Sequence, residues 1–216
     1  MQIAIREINA RGALLVFPIK NAREPASLWS VLHPRKKMEW DWSEDSSDDV
    51  PDLWHLMKRL SDCRKVVYSK WYQGRATFFS REVFTALLAL SLRSPKPLSS
   101  QAREIERTLS EDSPLSTKEL KKRTGLQGRL NEATYGRACK ELFQDFRIVA
   151  YGEVDDGAFP SLALGSTRSL FEELWESARA MPEAHARALL EIKLPAGSKL
   201  RKFYDRTQRL SPTNTA

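Results

Sequence analysis

Cysteine, histidine and long apolar runs are scarce in this chain, and each scarcity closes a class of function. The 216 residues include two cysteines and three histidines. Cys63 and Cys139 stand at no disulfide or zinc-site spacing, and His33, His55 and His185 are scattered singly, so no metal is expected. The thiols are expected to be buried in a reducing compartment, which points to the cytoplasm. No apolar run approaches the roughly 18 to 20 residues that span a bilayer, so no membrane partner is expected. The opening stretch MQIAIREINARGALLVFPIK lacks a basic start, a clean apolar segment and a small-residue cleavage site, and it reads as structural rather than as a signal peptide. No Gly-rich phosphate loop is present: Gly125-Leu126-Gln127-Gly128 has neither the following Lys-Ser/Thr nor a preceding strand. No histidine stands near a serine or cysteine at a telling spacing. Neither a cofactor nor a small-molecule ligand is expected.

What is present is the composition of a globular protein, 41% hydrophobic and 29% charged. The net charge of +7 fits a polyanion partner. That charge is segregated. Residues 39–52 carry seven carboxylates and no Lys or Arg, residues 58–81 carry seven basic groups against Asp62, and residues 193–209 carry six against Asp205. Such blocks can pair within one molecule, or an acidic loop can cover a basic groove.

Periodicity and turn residues order the first 94 residues as a helix and hairpin part. A strand is expected from position 13 to 17, then an apolar segment around Leu28, Trp29, Val31 and Leu32. After an acidic loop at 43–49, a helix capped by Asp49 turns Leu53, Met57 and Leu60 inward. Residues 64–80, RKVVYSKWYQGRATFFS, are rich in branched and aromatic residues and turn at Gln73-Gly74, which predicts a β-hairpin. Ser80 caps a following helix with Val83, Phe84, Leu87, Leu88 and Leu90 inside. Ser94-Pro95-Lys96-Pro97 breaks that helix and is the best linker in the chain.

Residues 113–165 are the most informative segment. Ser116-Thr117-Lys118-Glu119 fits a capping box that opens a short helix. Gly125 supplies a left-handed stop and Gly128 a second loop glycine. A longer helix follows from about Asn131, with Tyr135, Ala138, Leu142 and Phe146 as its apolar stripe. Arg137, Lys140 and Gln144 lie largely opposite. The period then changes to two around an Asp156-Gly157 turn, the signature of a hairpin. With the helix expected at 100–109, this is the order of a winged helix-turn-helix, which lays its second helix in the major groove. Glu153, Asp155 and Asp156 at the wing would be repelled by phosphate. The expected organisation is an α+β, mainly helical protein: a helix and β-hairpin part at 1–94, a winged-helix domain at 98–181, and a basic C-terminal tail at 182–216, peripheral from Pro195 onward.

The stretches KWYQGRATFFSREVF (70–84), PLSTKELKKRTGL (114–126) and the long helix into FRIVAYGEVDDGAFPS (146–161) resemble the AlkZ-like winged-helix family, whose characterised members are bacterial DNA glycosylases. The similarity covers roughly residues 50–180, and a relation to the family fits better than membership proper. The full glycosylases look like tandem winged helices nearly twice this length, so the chain is short by at least one module. The resemblance also implies a catalytic Gln-x-Gln or Gln-x-Asp pair that positions water. Here Gln2, Gln73, Gln101, Gln127, Gln144 and Gln208 are followed two places later by Ala4, Arg75, Arg103, Arg129, Phe146 and Leu210, none of them an acceptor. Where that motif would fall, Phe17-Pro18-Ile19 offers nothing to polarise water. No catalytic residue is expected.

The expected partner is duplex DNA, in a setting connected with repair. The candidate contacts are Lys118, Lys121, Lys122, Arg123, Arg129, Arg137 and Lys140, with Lys70, Trp71 and Arg75 from the earlier hairpin. Alternation puts Trp71 on the face of Arg75, where it can stack on a base, and Tyr72 on the opposite face. If about six to eight of these groups displace counterions, affinity falls by about three decades or more between 50 and 200 mM salt. Two alternatives stay open: a divergent glycosylase using Asp41 or Glu39, and a protein-interaction module. Trp40-Asp41-Trp42 reads as an anchor of the acidic loop.

Overall fold

Both hairpins become parts of small three-stranded antiparallel sheets, with helices filling the space around them. The structure is a computed structural model and describes residues 1–40, 49–154 and 161–209. The fold is α+β and mainly helical.

Helix α1 (Gln2–Arg11) ends at Gly12, whose φ of 79° is open to glycine alone at low cost. A Cβ there would also come within 2.8 Å of Val83 Cγ2. Strand β1 (Ala13–Leu15) and the short helix α2 (Leu28–Leu32) follow, the latter opened by a reciprocal Ser27–Ser30 capping box. Helix α3 (Asp49–Asp62) turns Leu53, Met57 and Leu60 inward as expected. The hairpin strands β2 (Val66–Ser69) and β3 (Thr77–Ser80) pair Val67 with Phe79, and β1 adds to the free edge of β3. All three strands are buried on both faces, which explains their continuous apolar composition. Ser80 then caps α4 (Arg81–Arg93) by accepting from the Val83 amide at 3.2 Å.

The second half begins with α5 (Ser100–Glu111), capped by Ser99. A two-residue strand β4 (Leu115–Ser116), not foreseen from the sequence, precedes α6 (Thr117–Arg123). A 3-10 turn (Arg129–Asn131) leads into α7 (Glu132–Gln144). Strands β5 (Ile148–Val154) and β6 (Ser161–Ser166) complete a sheet of order β4-β6-β5. The Asp156-Gly157 turn lies outside the described residues. Gly152, at φ 72°, forms a bulge that packs against Asp62 at the end of α3. The chain closes with α8 (Thr167–Leu170), α9 (Glu172–Ala180), α10 (Glu183–Lys193) and α11 (Lys199–Arg209).

The structure corrects three expectations. Trp71 is 1% exposed and offers no face for stacking. Residues 70–76 form the connection between strands rather than strand, with Gln73 and Gly74 at positive φ, so alternation does not govern them. Trp71 and Tyr72 are both buried, Trp71 against Phe79, Phe146 and Phe203 at ring separations of 5.4, 6.0 and 4.9 Å. Phe146 belongs to that cluster and not to the stripe of α7, which is completed by Cys139 and Phe143. The C-terminal segment is not peripheral: Leu189, Leu190, Leu194, Leu200, Phe203 and Tyr204 are all buried in the second core.

The helix break at 94–97 is present, yet it separates no two cores. One apolar cluster runs from Ala4 to Leu164 and the other from Ala13 to Tyr204, so both draw on each side of the break. Lys96 donates to the Thr207 carbonyl at 2.8 Å and approaches Asp145 at 3.5 Å. Asp145 is 3% exposed, and burial holds its carboxyl above the usual range although Lys96 and Arg147 act to lower it.

Two outcomes are expected. Trp71→Ala removes the ring at the centre of the aromatic cluster and lowers unfolding free energy by about 3–5 kcal/mol in urea titration. Trp71→Phe costs far less, because the buried Trp71 Nε1 has no hydrogen-bond partner among the described residues and its loss removes an unsatisfied donor. The second concerns Asp145, whose folded pKa lies above its unfolded value near 3.8. Its contribution is full below that value and is lost as pH rises through the folded pKa. The stability difference between Asp145→Asn and wild type therefore moves in favour of the variant across that rise and then levels. A difference moving the other way would contradict a carboxyl penalised by burial.

Candidate nucleic-acid interface

The geometry of α6, its turn and α7 follows from local chemistry. Ser116 Oγ accepts from the Glu119 amide at 3.0 Å. The Glu119 carboxylate is bonded by Arg123 Nε at 3.0 Å. At the end of α6, Gly125 takes φ 66°, the Leu126 amide donates to the Lys121 carbonyl at 2.8 Å and the Gly125 amide to Lys122 at 3.3 Å. This is a Schellman stop, and Leu126 is buried beside it. Asn131 Nδ2 donates back to the Gln127 carbonyl, closing the turn. Helix α7 then buries Tyr135, Ala138, Cys139, Leu142 and Phe143, and leaves Glu132, Ala133, Gly136, Arg137 and Lys140 exposed.

The basic residues divide into two sets. On α6, Lys121 pairs with Glu132 at 2.6 Å and lies 4.8 Å from the centre of the Tyr135 ring. Arg123 pairs with Asp112 at 2.7 Å as well as with Glu119, and these hydrogen bonds raise its pKa. Lys122 stands 3.9 Å from Glu119. Lys118 is exposed and, with Lys122, lines an open groove of about 450 Å³ that reaches Val154. On the turn and α7, Arg129, Arg137 and Lys140 are exposed and make no ion pair among the described residues. Arg137 donates to the Thr134 hydroxyl at 3.4 Å.

The earlier hairpin contributes less than expected. Lys70 is half-buried at the crossing of β2, β5 and α7. Burial lowers its pKa, while the Cys139 thiol and Glu153 act to raise it. Asp155 and Asp156 lie outside the described residues. Arg75 is exposed, and with Arg206 of α11 it acts on the Tyr72 hydroxyl, which burial raises. It therefore belongs to the α11 corner of the hairpin.

The thiol nearest this surface is not a nucleophile. Burial pushes Cys139 up to about 11, even with Lys121 and Lys70 lowering it, so it stays protonated at neutral pH. Cys63 is also free and half-buried. Glu39 is exposed, and Asp41 lies outside the described residues. Trp40 is 58% exposed and sets its ring 4.8 Å from that of Phe17. Among the described residues no group of three His, Cys, Asp or Glu stands close enough to hold a metal, and no helix is long and apolar enough to cross a membrane.

Sequence reading missed the cross-element pairs Lys121–Glu132 and Arg123–Asp112. Each joins residues eleven positions apart, a separation with no period to betray it.

No curated protein and no solved structure matches the chain. The family described as AlkZ related matches residues 1–198, a wider span than the resemblance at 50–180, and the chain belongs to that family.

Proposed function

We propose that the chain is a cytoplasmic winged-helix protein that holds duplex DNA against α7 without excising a base. The element order α5-β4-α6-α7-β5-β6, with its β4-β6-β5 sheet, supports the winged-helix reading, in which α7 is the helix offered to the major groove. The observation that carries the proposal is the exposed face of α7 and its leading turn. Arg129, Arg137 and Lys140 there have no carboxylate partners among the described residues, while Lys121, Lys122 and Arg123 of α6 are engaged by acids. Ala133 and Gly136 keep that face low, so the helix can approach a groove closely. Membership of the AlkZ-related family supports a repair setting. The missing glutamine pair is the reason excision is left out. Two free cysteines fit a reducing compartment.

A protein partner is the second reading, and one observation favours it. Leu130 is 96% exposed at the head of α7, between Arg129 and Asn131. An apolar side chain there suits a protein surface as well as a groove.

A salt titration separates the two readings. With Arg129, Arg137 and Lys140 in contact, affinity for a labelled duplex falls by about one and a half decades between 50 and 200 mM salt. Arg137→Ala with Lys140→Ala lowers the slope of log affinity against log salt by about 2, and Lys121→Ala leaves it nearly unchanged. A slope that does not respond to the α7 pair would end the proposal in favour of a protein partner.

A further inference from the structure

A second basic surface stands where α4, α8 and α9 meet, and no residue of α6 or α7 lines it. It is an open hollow of about 540 Å³ bounded by Leu92, Arg93, Arg168, Trp175 and Arg179. Its volume lies within the usual range of ligand sites. Trp175 is half-buried, packed on one side against the second apolar core and open to the hollow on the other. Its ring N–H has no partner among the described residues.

The three guanidinium groups differ in what holds them. Arg93 donates to the Ala89 carbonyl at 2.8 Å and to the Met181 carbonyl, and so answers the carbonyl ends of α4 and α9. Among the described residues Arg179 pairs with Glu176 alone, one turn back at 3.2 Å, with both side chains more than half exposed. Arg168 has no ion pair or side-chain hydrogen bond among the described residues. Helix ends alone do not account for this set. Each carries roughly half a negative charge, and one carboxylate faces three arginines, so the hollow keeps an excess of positive charge.

We propose that this hollow binds a phosphate-bearing nucleotide, with the base on the indole of Trp175 and the phosphate between Arg168 and Arg179. A planar guanidinium offers paired donors that match phosphate oxygens, and an indole face stacks on any base without reading its edges. Arg93, fixed by its carbonyls, lends charge to the floor. The same chemistry is presented by a free nucleotide and by the unpaired end of a strand. The inference stands apart from the α7 reading, because the two surfaces share no residue.

Calorimetric titration of the full chain carrying Arg137→Ala and Lys140→Ala tests it without help from α7. The ligands are deoxyadenosine monophosphate, a 5′-phosphorylated deoxyadenosine tetranucleotide, adenosine, and inorganic phosphate. The two phosphorylated nucleotide ligands are expected to bind, and adenosine or phosphate alone at least tenfold more weakly. Arg168→Glu and Trp175→Leu each weaken binding tenfold or more. Arg168 is exposed and unbonded, so Arg168→Glu keeps the melting temperature of its parent even if Trp175→Leu unfolds. A tetranucleotide at least tenfold tighter than the monophosphate assigns the site to a strand end, and equal affinities assign it to a free nucleotide. Flat titrations, or binding indifferent to Arg168→Glu, overturn the proposal.

Discussion

Phe146 holds a left-handed backbone, φ 58°, with its ring fully buried, and much of the molecule is arranged around that choice. The end of α7 is a Schellman stop. The Arg147 amide donates to the Leu142 carbonyl at 3.0 Å and the Phe146 amide to Phe143 at 3.2 Å. Glycine normally fills that position, and a side chain there costs roughly 1–2 kcal/mol. Burying a phenylalanine returns about 1.5–3 kcal/mol, so the ring is what keeps the backbone in place. The ring meets Phe84 edge-on at 5.6 Å and Phe79 at 6.2 Å, which ties the end of α7 to the N-terminal sheet and to α4. The Phe146 carbonyl accepts from Thr167 Oγ1 at 2.7 Å, which ties it to α8 as well. The exposed face of α7 and the Trp175 hollow are therefore aimed by one aromatic core.

What could be read from the sequence was local. The Ser80 and Ser116 caps, the Gly125 stop, the Gln73-Gly74 turn and the inner face of α3 each depend on residues within one or two turns, and each is present. The failures have one physical origin. Phe146 continues the spacing of Tyr135, Ala138 and Leu142, but apolar spacing carries no information about φ. Strand alternation puts Trp71 on the face of Arg75, but no strand persists through that segment. The C-terminal helix hid its stripe, Leu200, Phe203 and Tyr204, under a dense run of basic residues whose charge drew the reading outward. Strand β4 is too short for any period, and it exists because Leu115 and Ser116 pair with Leu164 and Ala163.

Charge follows the same rule. The ion pairs on α6 are exposed enough to contribute little stability. The larger effect of these pairs is to sort the cations. Glu119, Asp112 and Glu132 engage Lys121, Lys122 and Arg123 of α6, while Arg137 and Lys140 of the following helix make no ion pair among the described residues. A linear count of basic residues gives equal weight to cations that the fold has already spent and cations that it leaves open.

The N-terminal segment sharpens the relation to the AlkZ-related family. The stretch where a water-positioning glutamine pair would fall is committed to packing. The Val16 amide donates to the Ala76 carbonyl at 2.9 Å, and the Val16 carbonyl accepts from the Trp29 amide at 3.1 Å. Phe17 covers Trp40, and the Asn21 side chain clamps both backbone polar groups of Met38. Every polar group named there is satisfied by the chain itself, and the side chains at 17–19 carry none to spare. A segment built in this way braces the sheet whose β2–β3 connection carries Trp71 and, through the ring contact of Trp71 with Phe146, the end of α7. On the proposed DNA reading, the groups that would hold a phosphate backbone sit on elements that this segment supports and does not itself supply.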